Sequence, residues 1–330
     1  MWENRRCGSF AFVPKETLMK KTTKSIIAAA LCASMMLAGC SNNNIEQTTT
    51  ASQTAAVQNT DHPEAPTSFK LTESTDAGNS GDVKLEKGDT YAVISIRDFG
   101  DIKIKLYPDL VPYGVYNFIE LAKNGTYNGR NIHRIEEDFM LQGGSASGDG
   151  SGGSSFEGGE FKNEVNTSLR HYYGALCYAS NSLGDLSDGF YIVNSKKPKT
   201  NLENTYSLLA QNFMNQAQQY GSIAQSITED VDNYEYMRYL YGSLFEYSRD
   251  AYYSIVGMYN SITDAVKKTY EEKGGKPELD GCYTVFGQTV EGFEVIDKIT
   301  AVEKEANAQG VVSKPVKDII IDKIEIFTME

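Results

Sequence analysis

A closed antiparallel β-barrel with flanking helices and an inserted α-helical hairpin is the fold the sequence predicts. Short segments of alternating apolar and polar residues run from Tyr91 onward, with one amphipathic helical stretch among them. Between 201 and 275 the apolar residues switch to helical spacing, after which strand-like sequence resumes. Short strands broken by turns, without regular alternation with helices, favour a barrel over a parallel βαβ sheet. A chain of 330 residues, 40% of them hydrophobic, is long enough to bury such a core.

The amino terminus stands outside that core. Lys20, Lys21 and Lys24 precede the apolar run Ile26 to Leu37, which closes on Leu37-Ala38-Gly39-Cys40. This tripartite pattern resembles a bacterial lipoprotein signal, which makes residues 1–39 an export signal and excludes them from fold reasoning. By the resemblance Cys40 is the lipidation site, its thiol accepting a diacylglycerol, and the protein is held outside the cytoplasm on the bacterial membrane. An uncleaved anchor is the competing reading, but the run falls short of the roughly 20 residues that span a bilayer. Met19 directly precedes the lysine pair, so residues 1–18 read as an upstream extension of the reading frame.

From Cys40 to Asp82 the chain is rich in Thr, Ser, Asn, Ala and Gln and poor in large apolar residues, and it reads as a flexible tether reaching about 35 Å. The whole chain carries a formal charge of −13. Removal of residues 1–39 takes away six basic and two acidic side chains and leaves −17. Such a surface disfavours nucleic acid and anionic lipid, so membrane contact is expected through the acyl chains alone. Of the cysteines beyond Cys40, Cys177 and Cys282 are expected as buried free thiols in preference to a disulfide, and no Cys/His spacing suits a metal.

The folded part is predicted to span 83–330. Tyr91 to Ile96 and Ile102 to Leu106 alternate around Phe99-Gly100-Asp101 and predict a hairpin. Tyr116 to Ala122 has helical spacing and ends at Asn124-Gly125. Within the 201–275 insertion, one helix is predicted from Leu209, Phe213, Tyr220 and Ile227, and a second from Leu240, Leu244, Ile255 and Val266. Residues 228–233 turn between them, and Gly274-Gly275 with Pro277 stops the second. The tyrosines Tyr234, Tyr236, Tyr239, Tyr241, Tyr247, Tyr252 and Tyr253 are expected chiefly to pack the helices, with an exposed aromatic surface as the alternative.

Specific motifs lie in the strand-like parts. Asn131-Ile132-His133-Arg134-Ile135 is followed by Asp138-Phe139-Met140-Leu141-Gln142-Gly143-Gly144. Gly174 to Ser180, Phe190-Tyr191-Ile192, and Leu279-Asp280-Gly281 through Val285-Phe286-Gly287 come next, in that order. Together they resemble the cyclophilins, peptidyl-prolyl cis-trans isomerases, over roughly 90–200 and 277–327. The resemblance implies that Arg134 is the catalytic group, and that Phe139, Met140, Tyr191 and Leu279 line the proline pocket. It further implies that Gln142 holds a substrate carbonyl and steadies the arginine, and that Ala179 and Ser180 pair with the bound peptide. Gly189 and Tyr283 fall on pocket positions where the family has Gln and His, Ser180 replaces a common Asn, and Glu278 stands where a Trp is common.

An X-Pro bond exchanges slowly because amide resonance raises a barrier near 20 kcal/mol. A site that binds the twisted bond better than either planar isomer accelerates exchange without nucleophile, metal or cofactor. The expected partners are X-Pro segments of exported polypeptides, met by a monomer. Gly189 removes a polar group from the pocket, so a catalytically weak peptide-binding or chaperone module is the second reading. A structural surface protein using its tyrosine-rich hairpin is a third.

Overall fold

The computed structural model describes residues 62–307 and 310–330. The residues predicted as an export signal, Cys40 and the first half of the predicted tether lie outside the described residues. In chain order the strands are β1 (Lys70–Thr72), β2 (Thr90–Ile96), β3 (Gly100–Leu106), β4 (Asn131–Glu136), β5 (Met140–Gly143), β6 (Phe161–Lys162), β7 (Glu164–Asn166), β8 (Ala175–Ser180), β9 (Asp185–Val193), β10 (Val285–Glu291), β11 (Lys304–Ala306), β12 (Val312–Pro315) and β13 (Ile319–Thr328). The helices are α1 (Pro112–Lys123), α2 (Leu202–Ser226), α3 (Tyr234–Asn260), α4 (Asp264–Lys273) and α5 (Phe293–Thr300).

Eight strands run β5-β4-β13-β2-β3-β10-β8-β9, all antiparallel, and the β5–β9 pairing closes the barrel. The predicted hairpin is present, with Ile94 opposite Ile102 and Ala92 opposite Ile104, all four buried. Period-two alternation puts these side chains into one core with Phe118 and Phe286. Helix α1 starts at Pro112, a residue preorganised for a first turn, and no side chain of its own caps it. The buried carboxylate of Glu164, on β7, accepts the Gly114 N–H at 2.8 Å and does that work instead.

The insertion enters between β9 and β10 and packs α2 against α3. Its core holds Leu202, Tyr206, Phe213, Ile255, Met258 and Tyr270, and meets the barrel side through Val165, Tyr172 and Cys282. One correction concerns the second predicted helix, which breaks at 261–263 into α3 and α4. Arg170 Nη2 takes the Met258 and Ser261 carbonyls that a continuing helix would use, and Thr263 Oγ1 caps α4 by accepting from Val266 N. The hairpin tyrosines divide: Tyr241 is buried, whereas Tyr236, Tyr239 and Tyr253 are exposed.

A second correction concerns the tether. Residues 62–82 do not hang free but strap the barrel to the insertion. Strand β1 pairs in parallel with β7, and Leu71 packs on Gly257 of α3. Buried Asn79 accepts from Arg170 N at 2.9 Å and donates to Arg170 O at 2.7 Å. Ser80 bonds the Tyr172 hydroxyl, and Gly81 N donates to Thr269 Oγ1. Composition alone misses this, because the segment is held by a few specific polar contacts and not by a large apolar face.

Candidate active site

Pairing register builds the site. Arg134 on β4 lies opposite Gln142 on β5, Gln142 opposite Tyr191 on β9, and Tyr191 opposite Cys177 on β8. Residues directly opposite share a face, so the four form one row across the barrel wall. The next row, Ile135, Leu141, Ile192 and Leu176, points the other way and is buried in the core. A one-residue slip would exchange the rows, which is why the apolar interior specifies where Arg134 points.

The β4–β5 turn carries Phe139. Asp138 sits at φ 58°, accepts from Ser195 Oγ at 2.7 Å and pairs with Lys197. Phe139 N donates to Asn194 Oδ1 at 2.8 Å, so its ring is presented from an anchored backbone. Gly144, at φ 82°, has no room for a side chain, since a Cβ would lie 2.7 Å from the Phe190 ring. That close approach explains the second glycine of the Gln-Gly-Gly run.

The Arg134 side chain is only 18% exposed. Its guanidinium carbon lies 5.7 Å from the Phe139 ring centroid, and Nη1 donates to Gln142 Oε1 at 3.1 Å. Glu136 Oε1 accepts from Nε at 2.9 Å and from Nη2 at 2.6 Å. Sequence reasoning missed Glu136, although two positions along a strand it had to share the face of Arg134. It also missed Lys276, whose ammonium lies 5.6 Å from the Phe139 centroid on the opposite flank of the insertion. No spacing rule brings residue 276 to residue 139.

Behind Tyr191 lies a buried polar chain. His171 Nε2 is 3.0 Å from the Tyr191 hydroxyl and Nδ1 is 2.8 Å from Asp280 Oδ1. Asp280 also accepts from His171 N, Tyr206 and Tyr270. Burial by itself would raise the Asp280 carboxyl, but hydrogen bonding and charge from His171 and the charge of Arg170 outweigh it and hold it below the ordinary range. A carboxylate only accepts, so Nδ1 carries a proton toward Asp280, while Nε2 is hydrogen-bonded to the Tyr191 hydroxyl. The ring of Tyr283 meets Tyr191 edge-on with centroids 6.2 Å apart, and burial raises both hydroxyl pKa values far above the ordinary value. Each phenol therefore stays neutral.

Arg134, Phe139, Gln142, Tyr191 and Tyr283 are thus brought together. Met140 and Leu279 are buried in the adjoining core. Ala179, Ser180 and Gly189 lie further along β8 and β9, where the register shifts between Tyr178 and Ser180. A Cβ on Gly189 would touch only Ala179, at an ordinary 3.7 Å, so packing does not demand glycine there. Cys177 and Cys282 are buried free thiols, as expected from the sequence. A cavity of about 340 Å³ between Arg130, Asp188 and the glycine-rich segment touches none of these site residues.

The family described as cyclophilin type peptidyl-prolyl cis-trans isomerase/CLD matches residues 91–231 and 254–326. Relatives named for peptidyl-prolyl cis-trans isomerase activity from Staphylococcus aureus and Staphylococcus haemolyticus are 32% and 30% identical over 228 residues. The match covers 69% of this chain and 87% and 86% of theirs. A solved cyclophilin-type isomerase from Cryptosporidium parvum, crystallised with the dipeptide Ala-Pro, is 21% identical with a TM-score of 0.43, covering 72% of this chain and 99% of that one. The chain belongs to the cyclophilin-type peptidyl-prolyl cis-trans isomerase family.

Proposed function

We propose that this isomerase acts on X-Pro bonds of exported polypeptides from a lipid anchor at Cys40, outside the cytoplasm, with Arg134 as its catalytic residue. The observation that carries the mechanism is the guanidinium set beside Phe139 and steadied by Gln142. As the X-Pro bond twists, resonance is lost and the prolyl nitrogen regains its lone pair. A fixed donor aimed at that nitrogen stabilises the twisted state more than either planar one, and little competing water strengthens the effect. Phe139 supplies the apolar surface for the ring, while Gln142 is placed to hold the neighbouring carbonyl. No proton reaches carbon, so His133 has no role as a base.

The purified protein should accelerate isomerisation of a proline tetrapeptide, and Arg134→Ala should lower kcat/KM by about 100-fold or more with circular dichroism unchanged. A variant as fast as the wild type would remove Arg134 from the mechanism. Lipid attachment is tested separately: Cys40→Ser should move the protein from the membrane fraction to the soluble fraction.

The second reading, a peptide-binding module with little turnover, is favoured by Glu136. It engages two nitrogens of the guanidinium that the twisted bond needs. Proline-dependent peptide binding without acceleration would select that reading.

A further inference from the structure

We propose that the outer stripe of α2 and the carboxylate of Glu278 form a second subsite, which holds an extended client segment about three residues from the isomerising proline. It rests on the isomerase reading and narrows its substrate class to polypeptides with an apolar side chain at that distance. A groove of about 270 Å³ is lined by Asn204, Thr205, Leu208, Leu209, Asn212 and Glu278. Asn204, Leu208 and Asn212 recur every four residues along one stripe of the helix, so an apolar contact is flanked by two side-chain amides. An extended segment needs that combination, because its backbone N–H and C=O groups must find partners wherever its side chain is buried.

Two contacts connect the groove to the proline socket. Glu278 Oε2 lies 3.6 Å from Lys276 Nζ, which lies 5.6 Å from the Phe139 ring centroid. Laid end to end these contacts reach at most about three residues of extended chain. Glu278 Oε2 is also buried without a hydrogen-bond partner in the fold, the Lys276 ammonium being too distant to donate well. The Glu278 side chain as a whole is 45% exposed, so rotation of its carboxyl presents an oxygen to a client N–H at the rim of the groove. The acidic wall disfavours an acidic residue in the client at that position. The sequence departure at residue 278 and the insertion thus serve one purpose: the position where the family commonly has Trp becomes the junction between the socket and the added groove.

The test compares kcat/KM of the full chain for a proline tetrapeptide and for twelve-residue peptides bearing Leu, or Asp, three residues to either side of the proline. The Leu peptide should exceed the tetrapeptide by about tenfold, as burial of one leucine-sized side chain allows, and the Asp peptide should not. Leu208 is 59% exposed, so Leu208→Asp should preserve the fold. It should abolish the advantage of the long peptide and leave the tetrapeptide rate unchanged. Equal rates for all peptides, or an advantage that survives Leu208→Asp, would overturn the subsite. If no peptide is accelerated, the isomerase reading fails by itself. Fluorescence anisotropy of the labelled Leu peptide then decides the subsite: weaker binding by Leu208→Asp supports it, and equal binding overturns it.

Discussion

Glu136 and Arg134 form a charge-assisted pair on the face where catalysis is proposed, and the pair has two opposed effects. It fixes the guanidinium, yet it withdraws positive potential and two donors from the substrate side. For a transition state that develops a lone pair, the lost donor strength outweighs the fixing, because Gln142 and Phe139 still hold the group. Glu136→Gln is therefore expected to raise kcat about threefold or more, as read by a coupled proline-peptide assay. His133 sets a different residue-scale expectation. Burial, aided by the charge of Arg134 and only partly offset by Asp149, depresses its imidazole pKa to about 4, and neither ring nitrogen has a partner. The neutral ring suits the fold. The unfolded chain binds a proton below about pH 6.5 that the folded chain refuses until about pH 4, so stability falls as pH drops through that window. The loss is on the order of 3 kcal/mol, and His133→Leu should flatten the pH dependence of the urea midpoint between pH 6.5 and 4.

At the scale of elements, the insertion and the barrel share one buried polar centre. Arg170 donates to Tyr206 on α2 and to the end of α3, while Asp280 accepts from Tyr206, Tyr270 on α4 and His171 of the barrel. Removing the charge of Asp280 leaves Arg170 buried without its counter-charge, and an amide nitrogen in place of one carboxylate oxygen cannot accept from the donors that now share it. Asp280→Asn is expected to destabilise the protein by about 3–5 kcal/mol, measured by chemical denaturation. The folded pKa of Asp280 lies below its unfolded value, so its contribution is full above about pH 4 and is lost as pH falls further. In the Asn variant that acid limb should flatten. His171 ends the chain at Tyr191, which links the insertion through hydrogen bonds to the strand row that carries Gln142 and Arg134.

On the scale of the whole molecule, the strap of residues 62–82 changes what counts as the folded unit. It supplies both polar atoms of Asn79 to the Arg170 backbone, inside the layer between barrel and insertion. A chain starting at residue 83 should therefore melt several degrees below one starting at residue 62, since at least two buried backbone groups lose their partners. A truncation with no loss of Tm would show that water replaces Asn79 without penalty.

The barrel strands, helix α1 and the hairpin that carries Arg134 were legible because each rests on local periodicity or on contiguous residues. Arg134, Phe139 and Gln142 lie within nine positions of one another on a single hairpin. The break between α3 and α4 was not legible, because Arg170, about ninety positions away, takes the carbonyls that the helix would otherwise continue through. Lys276 beside Phe139 and Asn79 beside Arg170 are likewise pairs that chain closure alone creates. By itself the sequence determined which segments alternate, which coil, and which short motif bears the guanidinium, since these follow from spacing along one strand or helix. Only the tertiary structure decided what surrounds that guanidinium, because burial and hydrogen bonding depend on which distant segments the shared core draws together.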